Sequence, residues 1–484
     1  MLSEKATIAK NTGILVIADI VARILGTLLT ITIARKLGAA DLGLLAFALA
    51  FANPFGFLAG FGFKNLISRD VAKDPTKTGS YLGNIFAIKF ILSACVLFAI
   101  ILIINLMDYS REKVFIVSIA GFIMVLISYI EFFAAFFRAH QKVEYEAVVT
   151  ILLNFLIVSS GLTILFLGYG LVPIMGVRLL VYLLCFTLGF TLVIRKLSKP
   201  SFHIRLDFCI QLIKSAIPFA VLGIVVSLNA QMPTILISFI KGDLATGWFS
   251  AAQRLVGVFG FIPMAFVGGV LPAMSKFSHK SMNESLVKTY EGTIKYLLII
   301  ALPLAVGISI LADDFIIMIY GGKFIESIIV LRILVWLLVF SFLNHAFMIA
   351  FASINREKIF LKFQMLGAIV NFALNIVLIS LWGHIGVSIG VVLSQIVVFA
   401  LSVQALSKHF RQARILDICV KPVLAVLLMT IFLFLFRQQN VLILVPVSAV
   451  LYSFALFSLR TFNHDELSIL RALFRRKLVK LEFK

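Results

Sequence analysis

The chain has 484 residues, of which 62% are hydrophobic and 13% are charged, and its formal net charge is +21. A soluble globular domain carries about 45–50% apolar and about 25% charged residues, so this composition excludes an ordinary soluble protein. The basic charge would suggest nucleic acid in a soluble chain, but here it lies between apolar runs of about 20 residues, which is typical of a polytopic α-helical membrane protein.

Fourteen transmembrane helices are predicted, and the first is long, charged and without a cleavage site, unlike a signal peptide. They lie near 11–33, 43–63, 80–106, 114–137, 147–167, 171–194, 215–239, 246–273, 296–312, 325–352, 359–381, 385–407, 418–436 and 441–459. With the N-terminus inside, 31 of the 43 Lys and Arg residues belong to inner segments and 7 to outer loops. This bias predicts a multi-pass protein of the cell membrane with both termini in the cytoplasm.

The first predicted helix carries Asp19 and Arg23 near its centre, four residues apart and on one face. A charge at mid-membrane costs about 2.5–3.5 kcal/mol on insertion scales, so such residues usually face a protein interior or a wet cavity. Two interpretations stay open. The two residues form a neutralised packing pair, or Arg23 lines a substrate cavity while Asp19 carries a coupling ion.

Three more charges follow in the first half of the chain. Lys89 lies in the inner third of the third predicted helix and Glu131 in the inner half of the fourth. They either pair with each other, or Lys89 lines the cavity and Glu131 is a second candidate for proton or sodium coupling. Arg178, about eight residues into the sixth predicted helix, has no local partner and is predicted to line the cavity.

An internal repeat divides the chain. The stretch GDLATGWFSAAQRLVGVFGF (242–261) matches GAADLGLLAFALAFANPFGF (38–57) at six of twenty positions, including Gly43 with Gly247. A weaker echo joins LLNFLIVSSGLTILFLGYG (152–170) to IVNFALNIVLISLWGHIG (369–386). Both are displaced by six helices, an even number, which indicates a parallel repeat of the kind that transporters use around a central cavity. Biased composition is the competing explanation.

The repeat predicts an all-α membrane protein of two six-helix lobes with two extra C-terminal helices. Its expected divisions are an N-lobe at 1–195, a cytoplasmic linker at 196–214, a C-lobe at 215–410, helices 13 and 14 at 411–460, and a basic cytoplasmic tail at 461–484.

The second repeat copy places a charge in an apolar run, with Gln253 and Arg254 where the first copy has Leu49 and Ala50. Four basic residues against two acidic ones leave the predicted interior positive, which favours an anion such as phosphate or pyrophosphate, since the arginine fork binds either bidentately. We therefore predict a substrate cavity lined by Arg23, Lys89, Arg178, Asn229, Gln231, Gln253 and Arg254. The scattered cysteines and histidines show no metal-ligand spacing, and no metal or cofactor is expected.

Three stretches carry a resemblance to a known family. They are NTGILVIADIVARILGTLLTITIARKLGAADLGLLAFALA, IPFAVLGIVVSLNAQMPTILISFIKGDLATGWFSAAQRL and ILADDFIIMIYGGKFIES. They resemble bacterial and archaeal oligosaccharide flippases, including O-antigen transporters, of the multidrug/oligosaccharidyl-lipid/polysaccharide exporter superfamily. The resemblance implies two lobes around a cavity and transfer of a polyprenyl-pyrophosphate-linked sugar from the cytoplasmic to the outer leaflet.

The same resemblance implies that basic cavity residues hold the pyrophosphate, a role that their positions suggest for Arg23, Arg178 and Arg254. Expected partners are an anionic lipid-linked oligosaccharide, membrane lipids, and glycosyltransferases or a polymerase of the same pathway, with no nucleic acid. A peptidoglycan-precursor flippase stays open as an alternative. A multidrug cation antiporter is disfavoured by the basic interior. A membrane glycosyltransferase or ligase is disfavoured because the paired carboxylates Asp313 and Asp314 are interpreted as a helix end.

Overall fold

The computed structural model describes residues 21–201, 204–264, 266, 284–407 and 415–462, and helices make up nearly all of this part of the chain. In lipid every backbone polar group has to be satisfied within the protein, which helices do segment by segment. The helices described are α1 (21–37), α2 (Ala39–Gly60), α3 (Phe63–Lys73), α4 (Thr78–Leu106), α5 (Arg111–Ala139), α6 (Val143–Phe166), α7 (Leu171–Lys196), α8 (Leu206–Gly257), α9 (Glu284–Ile310), α10 (Ala312–Tyr320), α11 (Ser327–Leu334), α12 (Leu337–Ser353), α13 (Glu357–Ser407), α14 (Ile415–Leu435) and α15 (Val441–Ser458). The predicted all-α membrane architecture is confirmed.

Eleven helical stretches within the described residues are long and apolar enough to cross a membrane. Two of them contain a sharp bend at a glycine, at Gly242 in α8 and at Gly383 in α13, so each corresponds to two predicted helices. The described stretches thus account for thirteen of the predicted helices. Of the first predicted helix only the part from residue 21 is described, and the count of fourteen stays a prediction.

The repeated glycines make the same turn in both copies of the repeat. Gly38, before α2, has φ 100° and ψ −173°, and Gly242, inside α8, has φ 80° and ψ −175°. A residue with a side chain avoids this region of backbone space, which explains why both copies have glycine there. The sequence echo is therefore also an echo in local structure.

The boundaries of α2 differ from the predicted helix at 43–63. The helix begins at Ala39 and ends at Gly60, where Phe61 (φ 47°) and Gly62 (φ 73°) turn the chain. A further helix, α3, then occupies the segment that we expected to be an inner connection. The apolar run continues across the break, so hydropathy alone could not locate it.

Two compact units divide the described residues. The first contains Met1–Arg254, Ile319–Phe324 and Leu374–Val387, and the second contains Leu255–Met318, Ile325–Ala373 and Ser388–Lys484. The first unit thus holds α1 to α7 together with most of α8. The lobes expected at 1–195 and 215–410 stay a prediction about the repeat.

The core of the first unit is built around α5, which packs against α2 and α7. The C-terminal half of α5 carries a run of buried phenylalanines, and the rings of Phe132 and Phe136 meet edge to face at 5.2 Å. Such pairs add a preferred geometry to the burial of large apolar surfaces.

The predicted cytoplasmic linker is docked on the beginning of α4. The backbone N–H of Ser201 donates to the carbonyl of Gly79 over 2.9 Å, and that of Arg205 donates to the Asn84 side chain over 3.1 Å. A Cβ atom on Gly83 would lie 1.9 Å from the carbonyl oxygen of Ser201. The glycine therefore allows the linker backbone to lie directly on the helix.

In the second unit, α14 and α15 pack on α9. The hydroxyl of Tyr452 donates to the carbonyl of Ile299 over 2.9 Å. Asp313, in the first turn of α10, accepts from Arg332 over 2.7 and 2.9 Å and from Arg437, which follows α14. The carboxylate is thus held by two arginines at the start of a helix. This agrees with the interpretation of Asp313 as part of a helix end.

Candidate functional site

Arg254 projects from the part of α8 that follows Gly242 and contacts α1. Its Nη2 donates to the hydroxyl of Thr30 over 2.9 Å and to the carbonyl of Gly26 over 3.3 Å. The Thr30 hydroxyl in turn donates to the same carbonyl over 2.8 Å. The site that a Cβ on Gly26 would occupy is 3.8 Å from Nη2, so a glycine here leaves room for the guanidinium group.

The partners of Arg254 do not neutralise its charge. Both are uncharged oxygen atoms, and within the described residues no carboxylate forms an ion pair with this side chain. The guanidinium group has five N–H donors, and only those of Nη2 are used in these contacts. The side chain is also exposed. A cation with unused donors can bind an additional anionic group.

Arg178 lies near Arg254 in the same compact unit. It is half-buried in α7, its guanidinium carbon lies 6.0 Å from the ring centroid of Tyr182, and its charge is close enough to that of Arg254 for mutual repulsion. Its Nε is buried and has no hydrogen-bond partner in the described part of the chain. Two cations that repel each other are both stabilised by an anion between or beside them.

Tyr320 belongs to this cluster, although it is not among the predicted cavity residues. Its buried hydroxyl donates to the carbonyl of Ala251 over 3.1 Å, and its ring system lies within electrostatic range of Arg254. Burial raises the pKa of Tyr320 to about 12, so the hydroxyl stays a donor at neutral pH. The neighbouring residue Ile319 is also fixed, because Arg35 donates from Nε to its carbonyl over 2.7 Å. The only sequence signal for Tyr320 was its place in the ILADDFIIMIYGGKFIES stretch.

The other predicted cavity residues lie in several places. Arg23 is exposed on α1, and Gln253, next to Arg254, is half-buried, as are Asn229 and Gln231 in the part of α8 before Gly242. Asp19 lies outside the described residues, so its pairing with Arg23 stays a prediction. The structure thus brings Arg178 and Arg254 together, and the cavity roles of these two and of the other residues all stay predictions.

Lys89 is enclosed by the protein instead of facing a cavity. It is fully buried, and its Nζ donates to the carbonyl of Ala59 over 2.8 Å and to the hydroxyl of Ser128 over 2.9 Å. Ala59 lies in the last turn of α2, where carbonyl groups lack helical partners and the helix dipole is negative. Lys89 therefore caps the broken end of α2, and we leave it out of the proposed substrate site.

Glu131 forms an ion pair with a different lysine from the expected one. Its carboxylate accepts from Lys64 over 2.8 Å, and both side chains are between a third and a half exposed. This pair lies at a cavity of about 300 Å³ in the first unit, whose lining is mostly apolar and includes Phe57, Phe63, Asn53 and Ser128. Neither Arg178 nor Arg254 lines this cavity. The ion pair of Glu131 is therefore with Lys64, while the charge of Glu131 also acts electrostatically on Lys89.

Within the described residues, no group of three or more His, Cys, Asp or Glu side chains could hold a metal ion. His345, in α12, donates from Nδ1 to the carbonyl of Ser341 over 2.8 Å, so this ring nitrogen is satisfied within its own helix.

The sequence of this chain is similar to those of known proteins. Residues 8–278 match the family described as "polysaccharide biosynthesis protein". The chain is 21% identical over 372 residues to a probable low-salt glycan biosynthesis flippase, Agl15, of Haloferax volcanii, with 75% of each chain covered.

Two solved structures share the fold. The lipid II flippase MurJ in an inward closed conformation has a TM-score of 0.71 at 18% identity, with 96% of this chain and 99% of that one covered. An inward-facing multidrug resistance MATE family transporter of the MOP superfamily has a TM-score of 0.66 at 16% identity, with 81% and 95% covered. The chain therefore belongs to the polysaccharide biosynthesis protein family, and it is a transporter and not an enzyme.

Proposed function

We propose that this protein moves a polyprenyl-(pyro)phosphate-linked oligosaccharide from the cytoplasmic to the outer leaflet by alternating access, for surface polysaccharide biosynthesis. The observation that carries the proposal is the cluster of Arg178 and Arg254, two cations that have no carboxylate partner among the described residues. Holding two such charges close together in a membrane protein is unfavourable without an anionic ligand. A phosphate or pyrophosphate group would supply the missing charge.

Arginine suits this ligand better than a lysine would. Its planar fork presents parallel N–H groups that match two phosphate oxygens, and it keeps its charge when it is partly desolvated. Thr30 and Gly26 hold one face of the Arg254 guanidinium against α1. The donors on Nε and Nη1 would then bind the substrate, because these two contacts use only Nη2.

The relatives support the class of substrate. One is a probable glycan biosynthesis flippase, and one of the two solved structures described above is a lipid II flippase. Both names refer to glycans or glycan precursors, in agreement with a cation site. We propose that the phosphate and sugar headgroup passes through the protein while the polyprenyl tail stays in the lipid.

The proposed orientation follows from the positive-inside bias, with both termini in the cytoplasm of a cell-membrane protein. An inside-negative potential then drives an anionic headgroup outward by about 2.3 kcal/mol per charge per 100 mV. Asp19 and Glu131 stay candidates for coupling to a proton or sodium ion. Membrane lipids and the glycosyltransferases or polymerase of the pathway are the proposed partners.

Deletion of the gene in the native host tests the proposal. We expect an intact lipid-linked oligosaccharide to accumulate on the cytoplasmic leaflet, where mass spectrometry identifies its sugars and its lipid. Complementation with the wild type should clear it, whereas Arg178→Ala and Arg254→Ala should not, at equal membrane abundance. Arg195→Ala is the matched control, since Arg195 is exposed at the end of the same helix as Arg178.

The identity of the accumulated lipid separates the alternatives. A peptidoglycan precursor in place of a pathway-specific oligosaccharide would redirect the proposal to cell-wall synthesis. A deletion strain without any accumulated lipid-linked glycan would overturn it.

A further inference from the structure

The start of α2 touches the part of α8 that follows Gly242 through backbone atoms. A Cβ on Gly43 would lie 1.8 Å from the carbonyl oxygen of Asp243, and a Cβ on Gly247 would lie 1.8 Å from that of Ala39. Real Cβ atoms never come so close to an oxygen, so neither glycine can be replaced without moving a backbone. We call these four residues the glycine contact.

The glycine contact is reciprocal. In the sequence repeat Gly43 corresponds to Gly247 and Ala39 corresponds to Asp243. Gly43 packs on the carbonyl of Asp243, and Gly247 packs on the carbonyl of Ala39, so the two contacts are equivalent. A contact in which one surface meets its own copy is the signature of local twofold symmetry. The two copies of the repeat thus contact each other through equivalent residues, just after the turns at Gly38 and Gly242.

An ion pair beside the contact is present on one side only. Lys113 donates from Nζ to the Asp243 carboxylate over 2.7 Å and to the Ser238 hydroxyl over 3.1 Å, and that hydroxyl donates to the same carboxylate over 2.9 Å. The ammonium lies 4.2 Å from the ring centroids of both Phe47 and Tyr109. Ala39 occupies the position that corresponds to Asp243, so the first copy cannot form this bond.

The burial of Lys113 makes the loss of its partner Asp243 unfavourable. Its side chain is 6% exposed, whereas that of Asp243 is 27% exposed. A lysine buried to this extent is stable only while its partner stays in place. Separation of α2 from α8 would remove the glycine contact and would carry Asp243 away from Lys113.

We propose that the glycine contact and the Lys113–Asp243 pair form a gate that closes the outer side of the transporter and that opens in each cycle. The proposal rests on the alternating access and orientation inferred above, which put the turns at Gly38 and Gly242 on the outer face. The glycines set how closely the two helices approach, and the ion pair holds them together. Ala48 and Ala252, five residues beyond Gly43 and Gly247 along the two helices, are fully buried in this arrangement, and an open gate would expose them.

Thiol labelling tests the gate directly. The native cysteines Cys95, Cys185, Cys209 and Cys419 are replaced by alanine, and Ala48→Cys supplies a single reporter. A membrane-impermeant maleimide is added from the outside, and the labelling rate is measured. We expect Gly43→Ala, Gly247→Ala and Asp243→Asn each to raise this rate about tenfold or more, since they disfavour the closed population alone.

Gly176→Ala is the matched control, because a Cβ at this position in α7 meets nothing within 4 Å. The exchange Lys113→Asp with Asp243→Lys should bring the rate back toward that of the parent, which a general loosening of the fold would not do. If a glycine variant fails to fold, Asp243→Asn and the exchange still decide the matter. Rates equal to that of Gly176→Ala in every folded variant would overturn the gate.

The readout does not depend on the substrate. If the gate variants are labelled faster but the deletion strain accumulates no lipid-linked glycan, the gate is supported and the proposed function is rejected. If the deletion strain accumulates the glycan but the gate variants are labelled at an unchanged rate, the proposed function is supported and the gate is rejected. The two proposals therefore fail separately.

Discussion

Arg254 donates a hydrogen bond to the hydroxyl of Thr30 over 2.9 Å, although 224 positions separate the two residues in the sequence. The contact fixes the guanidinium group of α8 against α1 without neutralising it. A neutral hydroxyl is well suited to this task, because a carboxylate in its place would compete with an anionic substrate. Thr30 is thus a positioning residue for the proposed phosphate site.

Thr30→Val should reduce transport less than Arg254→Ala does. The variant keeps the shape of the side chain and loses the hydroxyl, so Arg254 keeps its charge but loses a fixed position. We expect transport to fall about fivefold, since a loss of about 1 kcal/mol is reasonable for an exposed hydrogen bond to a charged group. The measurement is the rate of surface-glycan appearance after induction in the deletion strain. Thr30→Ser keeps the hydroxyl and should transport normally, and equal rates for the valine and serine variants would contradict the role of Thr30.

Lys89→Met should lower the thermal stability of the purified protein. The variant leaves the carbonyl of Ala59 and the hydroxyl of Ser128 buried without their donor, and each unsatisfied group costs about 1–3 kcal/mol. The control is Lys64→Met, whose half-exposed ion pair contributes at most about 1 kcal/mol. Both melting temperatures are measured by size-exclusion chromatography after heating. A normal melting temperature with lost transport would return Lys89 to the substrate cavity, as the sequence first predicted.

Asp313→Ala should loosen α14 and α15 from the rest of the second unit. The substitution removes the shared acceptor of Arg332 and Arg437, which then repel each other. We expect a lower melting temperature and easier proteolysis of the turn between α14 and α15, with a free-energy loss of about 1 kcal/mol because these side chains are about a third exposed. Asp314→Ala is the neighbouring control. Equal proteolysis rates for the two variants would show that the carboxylate does not hold these helices.

Gly83→Ala should displace the docked linker. Its Cβ would lie 1.9 Å from the carbonyl oxygen of Ser201, so the linker backbone has to move away from α4. Cys209, which is buried and donates to Asn84, should then react faster with a maleimide in a variant that keeps only this cysteine. Gly292→Ala is the control, because its Cβ would meet only Tyr296 at 3.9 Å. An unchanged reaction rate would mean that the linker tolerates a side chain at this position.

The overall architecture was predictable because it depends on local composition. Long apolar runs, separated by charges that favour one side, specify the spans without knowledge of their packing. The repeated glycines at 38 and 242 also indicated turns with the same backbone conformation. The break of α2 at Phe61 was missed, since an apolar residue with positive φ leaves no mark in a hydropathy pattern. The same holds for the short turn between α11 and α12, within a run that we predicted as one helix at 325–352.

The candidate site was predictable only in part. Arg178 and Arg254 stood out because a charge in an apolar run is costly and therefore informative. Lys89 gave the same signal but caps a helix end, and no local pattern distinguishes the two uses. Thr30 gave no signal, and Tyr320 gave only its place in the ILADDFIIMIYGGKFIES stretch, because their importance arises from packing between segments that are distant in the sequence.

The contact between Gly43 and Gly247 has a consequence for the precision of the proposed cycle. Side chains at a closing interface would have to find compatible rotamers each time the helices return. Peptide groups held in two rigid helices have no such choice, so the surfaces meet in one register at little conformational cost. A transporter that has to close again after each large, flexible substrate benefits from an interface that forms in the same way on every turnover. The absence of side chains at Gly43 and Gly247 is sufficient to provide such an interface.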